Sequence, residues 1–260
     1  MKDIRFQNGD METKDFLRSG FINAWDNQTA ASSYARLEFP NTYYLAYRDL
    51  PEIIARHVRG TKAVDFGCGT GRSTRFARTL GFDTIGIDIS RHMIKNALKI
   101  DPEGNYVLVS DGNYGHLGTG QFNLVLAIFT FDNIPGWKNR ANILASLGNL
   151  LCISGKIIIL CSTPELYTHE WASFTTSSFA ENRKAKTGDI VHDIILDVED
   201  KTPCDDIFWT GKDYQKLFSM AGLEIEAYYK PLGYDHEPYK WVNETEIAPW
   251  IIYVLKIQEI

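Results

Sequence analysis

From Thr61 onward, short β-branched or apolar runs alternate with segments of helical periodicity, the pattern of a parallel sheet linked by crossover helices. TKAVDF predicts the first strand, and GCGTG turns into a helix over RSTRFARTL that Gly81 closes. FDTIGI predicts the second strand, with Ser90 as N-cap of a helix over RHMIKNALKI. YVLVS reads as the third strand and the glycine-rich DGNYGHLGTG as a loop. FNLVLAIF is apolar throughout, which predicts a central strand covered on both faces. WKNRANILASLGNLL carries a one-sided apolar stripe at Ile143, Leu144, Leu147, Leu150 and Leu151, a helix leading into a fifth strand, KIIILCS. EIEAYYK and WIIYVLKI follow with a loop rather than a helix between them, so they are expected to pair antiparallel. Ahead of the first strand, Ala24 to Leu37 and Tyr43 to Val58 read as helices, the second interrupted or restarted at Pro51.

This order predicts an α/β, Rossmann-like doubly wound sheet. The expected division is an N-terminal helical cap over 1–60 and a core over 61–260, with an insertion over 163–210 that the sheet does not need. At 44% hydrophobic and 23% charged, the 260 residues can bury a sizeable core. Cys68, Cys152, Cys161 and Cys204 have neither disulfide-scaffold density nor metal-ligand spacing, so they read as reduced thiols and no metal site is expected. The first residues lack the apolar stretch of a signal peptide, and no run approaches the roughly 18 apolar residues of a membrane helix. A cytoplasmic protein without membrane contact is the expectation; oligomeric state is left open.

The chemistry concentrates in VDFGCGTG, at the end of the first strand, and in Asp88, at the end of the second. Glycine at such a turn lets the backbone approach a ligand at a helix N-terminus. A dinucleotide fingerprint counted from Gly67 needs a third glycine at position 72, which is Arg72. Asp65, just ahead of the turn, would repel a pyrophosphate and favour an ammonium group. Both facts disfavour a nicotinamide cofactor. Asp88 stands where a carboxylate accepts hydrogen bonds from ribose hydroxyls, and Asp111 with Gly112 ends the third strand, where they suit a purine edge.

VDFGCGTGRST, then IGIDISRHMIKNA, VSDGN, FNLVLAIF and SGKIIIL, in this order, resemble the class I S-adenosylmethionine-dependent methyltransferases, in particular the branch acting on small molecules. The resemblance covers roughly Thr61 to Ser162. It implies a seven-stranded, mostly parallel sheet whose last strand is antiparallel, S-adenosylmethionine as methyl donor and S-adenosylhomocysteine as product. It further implies that Asp65, Gly67, Cys68 and Gly69 hold the methionine part and Asp88 the ribose. Ile89 and Met93 would pack on the adenine, Asp111 and Gly112 would contact its polar edge, and Ala127 would lie near the sulfonium. Cys68 itself reads as a small packed residue rather than a nucleophile. Tyr34 is expected to close over the cofactor from the N-terminal helices. The loop FTFDNIPG has Asp132 and Asn133 where many relatives have histidines, and the following helix ends in CISGK, so no catalytic residue transfers directly.

Methyl transfer from a sulfonium needs alignment and exclusion of water, and a base only if the acceptor must lose a proton. Asp132 and His192 are the candidates for that base. Trp171, Trp209, Tyr234 and His192 are expected at the substrate pocket, since aromatic faces attract cations. In IVHDIILDV, His192 shares alternate positions with Ile190, Ile194, Leu196 and Val198, so it is either a core histidine on a half-buried strand or a pocket group.

The chain carries 33 acidic and 27 basic residues, a net charge of −6, which argues against a nucleic-acid partner. The excess is local. Asp189 to Asp206 contains seven acids and one base, Lys201, within the proposed lid. Either these acids face water on a hairpin, with Asp193 and Asp197 alternating with the apolar face, or their field favours a cationic acceptor. The leading expectation is N- or O-methylation of a small molecule. A macromolecule methyltransferase, or a non-catalytic cofactor-binding or regulatory protein, is the alternative.

Overall fold

The computed structural model describes residues 38–110 and 114–259. Tyr34, Asp111, Gly112 and the helix expected over Ala24 to Leu37 lie outside the described residues. The helix expected from Tyr43, interrupted or restarted at Pro51, forms as two, α1 (Thr42–Arg48) and α2 (Leu50–His57): Asp49 interrupts, and Pro51 sits in the first turn of α2, where its missing N–H costs nothing. Arg48 fixes this corner. Its guanidinium pairs with Asp49 at 2.7 Å and Glu237 at 2.8 Å and donates to the Leu232 carbonyl.

The expected alternation follows: β1 (Lys62–Phe66), α3 (Arg72–Thr79), β2 (Asp83–Asp88), α4 (Arg91–Ile100), β3 (Asn105–Leu108), β4 (Phe122–Ile128), α5 (Trp137–Gly148) and β5 (Leu151–Ser162). Next comes a small antiparallel sheet of β6 (Phe174–Thr175), β7 (Ile190–Ile195) and β8 (Cys204–Ile207), then α6 (Gly211–Met220), β9 (Leu223–Tyr229) and β10 (Trp250–Ile257). The main sheet has seven strands in the order β3-β2-β1-β4-β5-β10-β9. β10 runs antiparallel to both neighbours, β5 and β9. With no helix to carry the chain across, residues 230–249 can only reverse it, as the two final runs predict. The periodicity reading overlooked α6, although Thr210 and Asp213 form a reciprocal capping box at its start.

β4 shows why its sequence is uniformly apolar. Val125 and Ala127 pack on the face covered by α5 and α6 with Leu144, Leu147 and Phe218. Leu124, Leu126 and Ile128 pack on the opposite face with Leu45, Leu50 and Ile54 of α1 and α2. No helix among the described residues is long and apolar enough to cross a membrane.

The insertion departs from expectation in the facing of β7. Val191, Asp193 and Ile195 point inward, whereas Ile190 and Leu196 are exposed and His192 is half-buried. The expected face is therefore inverted: Asp193, expected to look toward water, is 3% exposed. Period-two alternation defines two faces without saying which one meets the core. Here Val191 and Ile195 join the core that α1 and α2 also cover, and that contact selects the odd-numbered face.

Candidate functional site

The turn after β1 is built from three left-handed glycines, Gly67 at φ +67°, Gly69 at +53° and Gly71 at +84°. The first and third are demanded by space as well. A Cβ on Gly67 would fall 2.2 Å from the Thr130 side chain, and one on Gly71 would fall 2.4 Å from the Tyr106 hydroxyl. The amides of Gly67 and Cys68 both donate to the Ile87 carbonyl, at 2.8 and 3.0 Å, which locks the turn against the end of β2. Asp88 completes the lock: its carboxylate accepts the Gly69 N–H at 2.8 Å and the Ser90 N–H at 2.7 Å. Ser90 caps α4 by accepting from the Met93 amide, as expected.

Above these strand ends runs one cavity. At one end its wall is Gly67, Gly69, Asp88, Ile89 and Met93. Across the middle stand Tyr43, Phe129, Phe174 and Trp250, from α1, the end of β4, β6 and the start of β10. Their rings touch, with centroids 5.7 Å apart for Tyr43 and Phe129, 5.1 Å for Tyr43 and Phe174, and 4.8 Å for Phe129 and Trp250. Phe129 holds φ +61°, a left-handed conformation that costs a side-chain-bearing residue about 1–3 kcal/mol and is tolerated chiefly where the surroundings fix it. Its amide is fixed by the Leu160 carbonyl at 2.8 Å.

The far end of the cavity carries three carboxylates, Asp132, Asp193 and Asp206. Asp132 follows β4 and accepts the Ser162 amide, at 3.1 Å to Oδ2, and the Ser162 hydroxyl at 3.0 Å. Asp206, on β8, accepts the Tyr167 hydroxyl at 3.0 Å. Asp193 faces it from β7, and its Oδ1 is sealed from solvent with no hydrogen-bond partner. Burial raises the pKa of all three, and the field of Asp206 raises Asp132 and Asp193 further. Asp206 itself is pushed up to about 6, by burial and then by Asp205, although it is only partly screened from solvent because it faces the cavity. Arg140 of α5 lowers Asp132 and Asp206 from behind. It is fully buried, donates to the Ile134 carbonyl and lies 4.0 Å from the Trp209 ring centroid.

Among the expected cofactor residues, Gly67, Gly69, Asp88, Ile89 and Met93 meet on the cavity wall. Three others do not line it. Asp65 lies beneath the turn, fully buried, its Oδ2 accepting the Ser73 and Thr74 hydroxyls at 2.6 Å each; it supports α3 instead of facing a ligand. Burial pushes it up to about 6, against the pull of those two hydroxyls. Cys68 packs with Ile94, Ala97 and Tyr106, and burial holds its thiol protonated. Ala127 is inside β4 and packs into the core; the cavity is reached only by Ile128 and the residues after it.

The expected substrate residues are redistributed more thoroughly. Trp171 is 1% exposed and donates to the Leu166 carbonyl, a core residue. Trp209 packs between Trp137 and Arg140. Tyr234 is 52% exposed, stacked on His236 and covering Arg48. His192, on the face of β7 opposite Asp193, bonds to Asp205 at 2.9 Å and packs on Phe179, and it does not line the cavity. Its strand is held through the backbone by the Asn182 side chain. His192→Ala is therefore expected to cost no more than about 1 kcal/mol in urea unfolding and to leave ligand affinity unchanged. A tenfold loss of ligand affinity would return His192 to the site. Asp132 alone of the proposed bases lines the cavity. Asp193 and Asp206 both belong to the acidic run Asp189 to Asp206, in which no facing was assigned to Asp206.

The model of a family described as methyltransferase domain matches residues 64–159, from β1 to β5. A probable 18S rRNA (guanine-N(7))-methyltransferase of Dictyostelium discoideum is 25% identical over 158 residues, 58% of this chain and 50% of that protein. The chain thus spans about half the length of this curated relative. In fold it is similar to the CcbJ methyltransferase from Streptomyces caelestis, with TM-score 0.65 and 16% identity over 92% of this chain and 100% of that one. A second similar structure is an S-adenosylmethionine-dependent methyltransferase from Clostridium acetobutylicum, with TM-score 0.57 and 14% identity over 87% and 94%. The strand order and the turn after β1 agree with the match to a methyltransferase domain over residues 64–159.

Proposed function

We propose that the protein transfers the methyl group of S-adenosylmethionine to a small molecule held between the strand ends and the insertion. One cavity carries this reading: it joins the glycine turn and Asp88 at one end, past four aromatic rings, to three acids at the other. The residues present fit the donor. Asp88, whose carboxylate also accepts the Gly69 and Ser90 amides, lines the cavity as a charged acceptor of the kind a ribose hydroxyl takes. Ile89, 55% exposed, and the buried Met93 offer apolar surface to a purine, and Gly67 and Gly69 put no side chain on the wall beside them. When bound, S-adenosylmethionine supplies a methyl group already activated on a sulfonium. The protein's part is then to align the acceptor and keep out water. Tyr43, Phe129, Phe174 and Trp250 make the middle of the cavity apolar, and the insertion over 163–210 acts as its lid. Asp111, Gly112 and Tyr34 are proposed to complete the adenine end.

A ribosomal RNA acceptor, such as the Dictyostelium relative's name implies for that protein, suits this cavity poorly. Its acceptor end is lined by carboxylates, which repel a phosphate backbone. The reaction needs no membrane, and the four free thiols suit a reducing cytoplasm. Calorimetric titration with S-adenosylhomocysteine and with NAD tests the assignment. Binding of the first and not the second is expected; the reverse would overturn it.

A further inference from the structure

We propose that the methyl acceptor is an amine, and that Asp193 and Asp206, backed by Asp132, receive its nitrogen at the far end of the cavity. This rests on the methyl-transfer reading above and names the substrate class for the same site. The three carboxylates come from separate segments, the turn after β4 and the strands β7 and β8, yet all open on one space. Two have donors of their own, from Ser162 and Tyr167. Asp193 does not: its buried Oδ1 lacks any partner, a cost that a donor on a ligand entering this cavity would relieve.

Charge selects the kind of donor. Arg140 cannot neutralise the cluster by itself, and it is turned toward the back, to the Ile134 carbonyl, Tyr214 and the Trp209 ring. A carboxylate or phosphate on the acceptor would oppose ionisation of the three carboxyl groups further, whereas an ammonium would favour their charged form and pair with it. The adjoining wall of Tyr43, Phe129, Phe174 and Trp250 offers ring faces to the same cation. Among the described residues no group of His, Cys, Asp and Glu is arranged to hold a metal ion, so an organic cation is the better fit.

The chemistry balances without a further reactant. The ammonium gives one proton to a carboxylate of the cluster. The freed nitrogen lone pair forms the new N–C bond as the methyl–sulfur bond breaks, with its electron pair staying on sulfur. The carboxylic acid then releases its proton to water, and the product leaves as a methylated ammonium.

The test is binding to the full chain saturated with S-adenosylhomocysteine, followed by calorimetry. The probes are two amines with their isosteric alcohols, phenethylamine with 2-phenylethanol and cyclohexylamine with cyclohexanol, and magnesium chloride alone. At least one amine is expected to bind tenfold or more tightly than its alcohol. Asp193→Asn and Asp206→Asn should erase that preference while changing alcohol affinity less than twofold. Asp193→Asn should also raise the ligand-free melting temperature, since a buried carboxyl group that must take up a proton on folding is replaced by a neutral amide; a purely structural aspartate would lower it. Equal binding of both amines and their alcohols, an unchanged preference in the variants, or displacement of the amine by magnesium would overturn the proposal. Failure of S-adenosylhomocysteine itself to bind would instead overturn the methyl-transfer reading beneath it.

Discussion

Asp88→Ala is expected to weaken S-adenosylhomocysteine binding by about 1.5–3 kcal/mol, roughly 10- to 150-fold. Two losses add. The carboxylate is the proposed acceptor for ribose hydroxyls, and hydrogen bonds to a charged group are the stronger kind. It is also the acceptor that holds Gly69 N–H and so the turn itself, at 2.8 Å. Asp88→Asn separates the two, because an amide oxygen can still accept from one backbone amide while the charge is gone. The asparagine variant should fall between wild type and alanine in titration calorimetry. Unchanged affinity in Asp88→Ala would remove Asp88 from the site, whatever happened to stability.

The ligand-free protein is expected to gain stability as pH falls from 8 to 5, the reverse of ordinary acid denaturation. Asp65, Asp132, Asp193 and Asp206 all have folded pKa values above the unfolded carboxylate value near 4, with burial the first cause in each. Between the unfolded value and the raised ones the native state binds more protons than the unfolded state, so unfolding free energy falls as pH rises through that window. For Asp65, moved from 3.8 to about 6 while completely buried, the contribution alone is on the order of 3 kcal/mol. Asp213 and Glu226 oppose this, since their partners lower them, but they lose their stabilisation only below about pH 4.5. Urea unfolding at pH 5, 6, 7 and 8 checks the sign. A midpoint that falls steadily on acidification across this range would show that these carboxylates are not raised. Asp65→Asn should flatten the slope by the share that Asp65 supplies.

The sheet and the glycine-turn end of the cavity were legible because their signals are local. Strand, turn and strand-end acid sit within 27 residues from Lys62 to Asp88, and the glycine positions follow from backbone conformation alone. The break at Asp49, with Pro51 in the next first turn, was equally local. The errors have a different origin. Trp171, Trp209 and Tyr234 were placed by residue type, and an aromatic ring serves a core, a surface stack or a pocket equally well until its neighbours are known. Ala127 missed the cavity because the side chain's direction depends on which strand face meets α5.

The carboxylate end could not be read from local signals at all. Asp132, Asp193 and Asp206 are spread over 75 residues of chain and meet only because β7 and β8 fold back over the end of β4. By itself the sequence determined that the insertion is acidic and that its apolar residues alternate. Tertiary structure alone decided that Val191 and Ile195, rather than Ile190 and Ile194, meet the core, and that choice turns Asp193 inward. The physical reason is that a period of two has no sign: the two faces of a strand differ only by what the rest of the fold puts against them.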